Sequence, residues 1–335
     1  MNLTEKKYKE YALVREMLQT PEIIKQFRTK DLAKPLAAMR KTSKLFLVGE
    51  GSSRIFPAKN ALQIARKNNP DLAVYTEGCR QAQEVALEPF TVFGASNSGK
   101  TKEVIALLKQ KRAAFQFALT SFQGTPLESL CDEVFILSCG KEEAVAATKS
   151  VIEQGLFYHQ LLLHFFGQPM SPSVLDELSI KALEVLNLKI DDSMVAKISR
   201  APVIYFAGRN NGVAEEATLK TNEITRKKSA FLEGTYAVHG IEEVMDSQEV
   251  VIAIEPYQEE ETKFKEVLEQ GVGMSVFAIS SRPTLFPGIQ IPTLPGYDAY
   301  LQLLACWNLQ VEIGIRLGIN LDKPVRARKV GNEYQ

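Results

Sequence analysis

The sequence has no charge excess. Forty basic residues stand against forty acidic ones over 335 positions, for a formal net charge of zero. Nucleic acid is therefore not expected as the main partner, because a polyanion-binding surface needs a basic surplus. A pocket for one phosphorylated metabolite needs only a few donors and stays open. No apolar run reaches the length of a membrane span, so no membrane partner is expected. The start, Met1-Asn2-Leu3-Thr4-Glu5-Lys6-Lys7, is not a signal peptide, and a cytoplasmic location is expected. Four cysteines, Cys79, Cys131, Cys139 and Cys306, form no Cys-x-x-Cys pair and read as free thiols. There are only three histidines. His159 and His164 fall in the apolar stretch Leu156 to Phe166, where a core helix is expected rather than a metal site. What is present, 45% hydrophobic and 24% charged residues, is the make-up of a globular chain long enough for two domains.

The most informative stretch is Phe93-Gly94-Ala95-Ser96-Asn97-Ser98-Gly99-Lys100-Thr101. An apolar run from Phe90 to Ala95 ends in small hydroxyl residues around a glycine, and a helical segment, Lys102 to Lys111, follows. Strand, small polar loop and helix start is how an α/β protein builds an anion site, because the first helical N–H groups have no partner within the helix. Ser96, Ser98 and Thr101 add hydroxyl donors, and Gly99 allows close backbone approach. The loop lacks the second glycine and the Gly-Lys-Ser/Thr ending of a P-loop. Alone, it fits a capped βα turn equally well. A second loop favours the anion reading. Leu45 to Val48 reads as a buried parallel strand, followed by Gly49-Glu50-Gly51-Ser52-Ser53 and a helix from Ile55 to Arg66. If the two strands are neighbours, both loops lie at the carboxyl edge of one sheet, where open α/β sheets bind ligands.

The pattern then repeats. Lys44 to Gly49 has a counterpart in Val203 to Gly208, each followed by a small polar turn, Ser52-Ser53 in one and Asn210-Asn211-Gly212 in the other. Phe90 to Ala95 matches Val250 to Ile254, and Phe115 to Leu119 matches Ser275 to Ile279. Repeated βαβαβ units predict an α/β fold of two doubly wound parallel sheets flanked by helices. The linker signal is Gly167 to Ser173, with a helical hairpin over about 174–199. The expected division is an N-terminal helical segment 1–30, a first domain 31–170, linker helices 171–199, a second domain 200–320 and a tail 321–335. The halves differ where Ser96-Asn97-Ser98 is answered by Glu255-Pro256-Tyr257, so only the first half is expected to hold a phosphate.

The second half offers other chemistry. A helix from about Val213 to Lys228 carries Lys220 and Glu223 one turn apart. His239, the one histidine outside the core helix, follows in Phe231 to Gly240. A carboxylate base and a histidine acid suit proton shuttling on a sugar. A surface ion pair plus a loop histidine accounts for the same spacing.

Taken in order, these segments resemble the double sugar-isomerase (SIS) proteins, a family that includes the isomerase half of glucosamine-6-phosphate synthase, SIS-type glucosamine-6-phosphate deaminases and fructosamine-6-phosphate deglycases. The likeness spans about 25–330. The family's Cys-Gly-Thr-Ser loop is similar to Glu50-Gly51-Ser52-Ser53, and its Ser-Gln-Ser-Gly-Glu-Thr loop to Ser96-Asn97-Ser98-Gly99-Lys100-Thr101. Its Val-Ala-Ser-Thr-Lys segment resembles Val145-Ala146-Ala147-Thr148-Lys149, and its Leu-Lys-x-x-Glu helix resembles Leu219 to Glu223. His239-Gly240 lies sixteen positions after Glu223, as in the family. The C-terminal Asp-x-Pro and lysine are matched by Asp322-Lys323-Pro324 and Lys329.

The resemblance implies two tandem SIS subdomains, each a flavodoxin-like sandwich, and an enzyme acting on a sugar 6-phosphate. The loop hydroxyls and backbone of Gly51, Ser52, Ser53, Ser96, Asn97, Ser98, Gly99 and Thr101, with Val145, would hold the substrate. Glu223 would move a proton between C1 and C2, Lys220 would keep that carboxylate oriented and ionised, and His239 and Lys329 would open the sugar ring. The histidine segment would serve the neighbouring subunit, implying a homodimer with a shared active site. No metal or organic cofactor is implied, because the substrate's own carbonyl or imine acidifies the C–H bond. An aminosugar-6-phosphate deaminase/isomerase is expected, with a fructosamine-6-phosphate deglycase or a plain ketose/aldose isomerase as alternatives. A non-catalytic phosphosugar sensor is disfavoured by the retention of Glu223, His239 and Lys329 and by the lack of a helix-turn-helix. The departures are Tyr236 for the usual glutamate, Ile241 for proline, Ala147 for serine and Lys100 for an acidic residue. They surround the sugar and leave its identity open. No glutaminase segment stands in the sequence, so glutamine-dependent amination is not expected.

Overall fold

The computed structural model describes the whole chain except Thr29, Asn69, Pro70, Lys111, 327–333 and Gln335. Among the described residues, ten strands form two five-stranded sheets, and every pairing is parallel. The first sheet contains β1 (Lys44–Gly49), β2 (Ala73–Gly78), β3 (Thr91–Ala95), β4 (Phe115–Thr120) and β5 (Glu133–Ile136). Its order is β2-β1-β3-β4-β5. The second contains β6 (Val203–Gly208), β7 (Lys228–Glu233), β8 (Val250–Ile254), β9 (Ser275–Ser280) and β10 (Gly288–Gln290). Its order, β7-β6-β8-β9-β10, repeats the first. The duplicated doubly wound α/β fold is thus borne out, with five strands per half where three were read.

The chain divides into two compact units, one on each sheet. The first-sheet unit comprises Glu22–Glu142, Ala147–Glu177 and the described Tyr334. Its inner strands are buried on both faces, which is why they read as unbroken apolar runs. Phe46, Val48, Val92 and Ala118 pack with Val104, Ile105 and Leu108 on one face. On the other, Phe93 stacks on Phe117 at 5.0 Å between ring centroids, and Phe135 meets Phe157 of the helix Lys149–Phe165 at 4.8 Å. Each such buried aromatic contributes roughly 1.5–3 kcal/mol. His159 lies buried on that helix, as expected, and burial pushes its imidazole down to about 4. His164, expected in the core as well, is only half-buried, because the helix ends one residue later.

The second-sheet unit comprises Met1–Pro21, Glu143–Ala146 and 178–326. Tyr205, Ala207, Val251, Ala253, Val276 and Ala278 form one side of its core with Phe264 and Leu268. The buried helix Asp298–Arg316 packs against the helix Val213–Lys220. Two expected helices stop early. The segment expected from Lys102 is helical over Lys102–Leu108, and Lys109 and Gln110 lie beyond the helix in a turn. The helix expected to run to Lys228 ends at Lys220 and is followed by one wide π-helical turn, Thr221–Thr225. Arg226 then adopts a left-handed backbone, φ 56°, which terminates the helix and turns the chain into β7. Among the described residues, no helix is long and apolar enough to cross a membrane.

Candidate active site

The two serine loops of the first-sheet unit follow β1 and β3, and these strands are direct neighbours with Gly49 opposite Ala95. The strand order reverses between them, so the loops flank the crevice where such sheets bind ligands. They touch closely. A Cβ on Gly49 would lie 3.1 Å from the Ala95 carbonyl and 3.1 Å from the Ser53 carbonyl. Glu50 ties the first loop to the edge of the sheet, its carboxylate accepting from the Cys79 N–H at 2.9 Å. Gly51 begins a short 3-10 turn through Ser53, with φ 52°.

In the second loop, the Ser96 hydroxyl accepts from the Thr101 N–H at 3.2 Å and pairs with the Thr101 hydroxyl at 2.7 Å. Ser96 is buried, so its hydroxyl braces the loop from inside. Ser98 accepts from the Lys100 N–H at 3.2 Å, which keeps its O–H available for donation. Gly99 has φ 68°, and a Cβ there would sit 2.3 Å from the Thr125 methyl, so only glycine fits. The Tyr334 N–H donates to the Lys100 carbonyl at 2.8 Å.

The sequence reading missed Glu142. It is buried, and its carboxylate accepts from the Thr148 N–H at 2.8 Å, the Ser150 hydroxyl at 2.7 Å and the Asn97 amide at 3.3 Å. It therefore pins the loop bearing Asn97 to the start of the helix Lys149–Phe165. A glutamate followed at once by a second one, Glu143, carries no periodic signal that could have singled it out.

The second-sheet unit holds the carboxylate chemistry. Lys220 is fully buried, with its ammonium 2.8 Å from Glu223 Oε2 and 3.4 Å from Glu216 Oε1. Glu216 is fully buried and Glu223 is 24% exposed. The spacing of Lys220 and Glu223 is thus a real contact and more than a surface pair. Glu216, four residues before Lys220, was legible by the same helical spacing and was not singled out. Glu223 opens on a cavity of about 570 Å³, lined by Val145, Asn222, Glu223, Arg226, Lys227, Lys228, Pro324, Val325 and Arg326. Val145, placed with the binding residues by sequence, is in this wall. The tail is fastened at two points. Asp322 accepts from the Ala12 and Leu13 N–H groups at 2.8 Å each, and Arg226 donates to the Asn320 and Lys323 carbonyls at 3.0 and 2.6 Å. Lys329 lies outside the described residues.

His239 is exposed on its loop, with Nε2 3.4 Å from the Lys263 ammonium, and it is not among the residues lining the Glu223 cavity. The loop after β8 carries Glu255-Pro256-Tyr257 where the first half has Ser96-Asn97-Ser98. Glu255, at φ 46°, turns its own carboxylate onto the Ser281 N–H at 2.9 Å, the Ser280 hydroxyl at 3.1 Å and the Ser281 hydroxyl at 3.2 Å. The Glu255 carboxylate is thus occupied by donors at the end of β9 and in the loop that follows it. Among the described residues, no group of histidine, cysteine, aspartate and glutamate could hold a metal ion.

These features define a tandem α/β protein with a hydroxyl-rich crevice on one sheet and a lysine-held carboxylate on the other unit. Residues 38–164 match the SIS domain family, and the resemblance read from the motifs is borne out. A glutamine–fructose-6-phosphate aminotransferase of Clostridium perfringens is 27% identical over 275 residues, covering 75% of this chain and 45% of that protein. The chain spans less than half the length of the curated relatives it matches. The tagatose-6-phosphate ketose/aldose isomerase of Escherichia coli superimposes with a TM-score of 0.78 at 16% identity, over 95% of this chain and 98% of that one. The glucosamine-6-phosphate deaminase of Thermotoga maritima gives 0.74 at 20% identity, also over 95% and 98%. Both share the overall α/β fold of this chain.

Proposed function

We propose that this chain is a phosphosugar enzyme, an aminosugar-6-phosphate deaminase/isomerase working by proton transfer between C1 and C2. The observation that carries this reading is Glu223, a partly exposed carboxylate in a cavity wall, held at 2.8 Å by a fully buried lysine. A base fixed in this way loses little orientational freedom before proton transfer. The SIS match and the names of the relatives support a phosphosugar as substrate. Ser98, with the Gly51–Ser53 turn and the backbone about Gly99, receives the 6-phosphate. His239 and Lys329 assist ring opening, His239 in the site of a second copy of the chain.

With an open-chain 2-amino aldose, Glu223 takes the proton from C2 and returns it to C1. The C1 carbonyl becomes an alcohol and C2 becomes an imine. Water adds to the imine carbon and the amine leaves, giving a ketose phosphate. The substrate's own carbonyl and imine supply the electron sink, so the reaction as drawn needs no cofactor. The test is a panel of amino- and N-substituted 6-phosphosugars, assayed for amine release against an enzyme-free control. Release with stoichiometric formation of the sugar phosphate supports the reading, and its absence across the panel overturns it.

A further inference from the structure

Glu223 sits on an irregular piece of backbone. The helix Val213–Lys220 gives way to a π-helical turn over Thr221–Thr225, and wide turns of this kind are rare and often fall at functional positions. The turn has two faces. Thr221, Ile224 and Thr225 are buried, while Asn222, Glu223 and Arg226 line the cavity. Which residues point which way depends on whatever keeps the turn wide.

The holding contacts come from the buried helix Asp298–Arg316. Gln310 of that helix is fully buried, and its side-chain amide donates to the Ala217 carbonyl at 2.7 Å and to the Thr221 hydroxyl oxygen at 3.0 Å. Ala217 belongs to the last turn of the regular helix, and Thr221 begins the π turn. The same Ala217 carbonyl accepts from the Thr221 N–H, so one side chain braces the joint where the two ladders meet. A carbonyl can only accept, which fixes the amide nitrogen toward Ala217. Four residues on, and on the same helix face, a Cβ at Gly314 would lie 3.3 Å from the Ile224 carbonyl and 2.5 Å from Leu321 Cδ2. The missing side chain lets this helix approach the backbone of the π turn. Across the turn, the Thr225 hydroxyl donates to the Thr221 carbonyl at 2.6 Å and accepts from the Lys227 N–H at 3.2 Å. Gln310 thus grips the entry of the turn, Gly314 seats its middle and Thr225 closes its exit.

We propose that Gln310 is a positioning residue for Glu223: it keeps Thr221–Thr225 in the π form and so aims the carboxylate into the cavity while Lys220 holds it. This rests on the reading of Glu223 as the proton-transfer base. Without the amide, the ladder can return to α spacing. A wide turn takes up one more residue than an α turn, and each residue is worth about 100° about the axis, so closing the turn swings Glu223 away from its present direction. A misplacement of about 1 Å at a reacting group can cost about 10²-fold in rate.

The test pairs Gln310→Met, which keeps the volume and removes both hydrogen bonds, with Asn308→Leu on the same helix. Asn308 is likewise a buried amide, but it donates to the Val185 and Leu188 carbonyls, away from the turn. Thr221→Val removes one of the two acceptors of Gln310 and takes its place if Gln310→Met does not fold. Crystal structures give the path of 221–225 and the distance from Lys220 to Glu223. For glucosamine 6-phosphate, kcat, KM and exchange of the C2 proton are measured on each variant and on Glu223→Gln. Gln310→Met should lose the π turn and lower kcat and exchange by about 10–10²-fold, with KM within about twofold of wild type. Asn308→Leu, compared at an equal loss of Tm, should keep all three, and Thr221→Val should fall between. An unchanged π turn in Gln310→Met, with Glu223 still 2.8 Å from Lys220, overturns the proposal. So does an equal fall of kcat in Asn308→Leu, which would make Gln310 an ordinary packing residue. If Gln310→Met loses the turn while Glu223→Gln exchanges at the wild-type rate, or the wild type shows no exchange, the joint stands and the proton-transfer reading fails.

Discussion

Replacing Lys220 by methionine removes one charge from a cluster that has little solvent to fall back on. Lys220 and Glu216 are fully buried and Glu223 is 24% exposed. The substitution keeps most of the side-chain volume, so the main loss is electrostatic. Breaking a buried ion pair by removing one partner costs about 3–5 kcal/mol, because the remaining charge stays desolvated. Here Glu216 is the group that suffers, since Glu223 can turn toward the cavity and its water. Lys220→Met should therefore lower stability by about 3–5 kcal/mol. With a urea slope of roughly 1–3 kcal/mol per molar, the denaturation midpoint drops by about 1–5 M. Adding Glu216→Gln removes the stranded carboxylate and should restore at least half of the loss. Urea titration of the two single variants and the double variant completes a thermodynamic cycle. A loss under about 1 kcal/mol for Lys220→Met, or strict additivity with Glu216→Gln, refutes the claim that this lysine neutralises a buried carboxylate.

Other outcomes follow from single groups. Ser98→Ala should weaken sugar-phosphate binding by about 1.5–3 kcal/mol with the unfolding midpoint unchanged, whereas Ser96→Ala should also lower that midpoint, because only Ser96 braces Thr101; calorimetry and thermal melts separate the two. The unfolded chain protonates His159 near 6.5 and the folded chain only near 4, so this contribution is whole above pH 6.5 and is lost as pH falls toward 4. The loss amounts to about 3 kcal/mol, and His159→Leu should flatten the stability profile in that window.

The strands that the sequence showed and those it hid differ in position. β1, β3, β4, β6, β8 and β9 are interior strands, and each is a run of apolar residues. The four not read, β2, β5, β7 and β10, are the edges of the two sheets. Tyr75 of β2 is 48% exposed and β7 begins with Lys228, an exposed lysine. Edge strands face solvent on one side and carry charge or brevity against further pairing, so no apolar run marks them. The site divides in the same way. Lys220 and Glu223 were legible because helical spacing survives across the π turn. Glu142 and the cationic wall of Arg226, Lys228 and Arg326 were not, since only the folded chain brings the tail to the helix end.

The central claim is that Glu223 moves the C1–C2 proton. General base catalysis typically gives about 10²–10⁴-fold, and Glu223→Gln keeps the shape of the side chain while removing the base. The direct measurement is exchange of the substrate's C2 proton into deuterated solvent, followed by NMR on the wild type and on Glu223→Gln. The account predicts exchange slowed by about 10²–10⁴-fold in the variant with substrate affinity little changed. Exchange at the wild-type rate in Glu223→Gln would reduce Glu223 to a partner of Lys220 and contradict the mechanism.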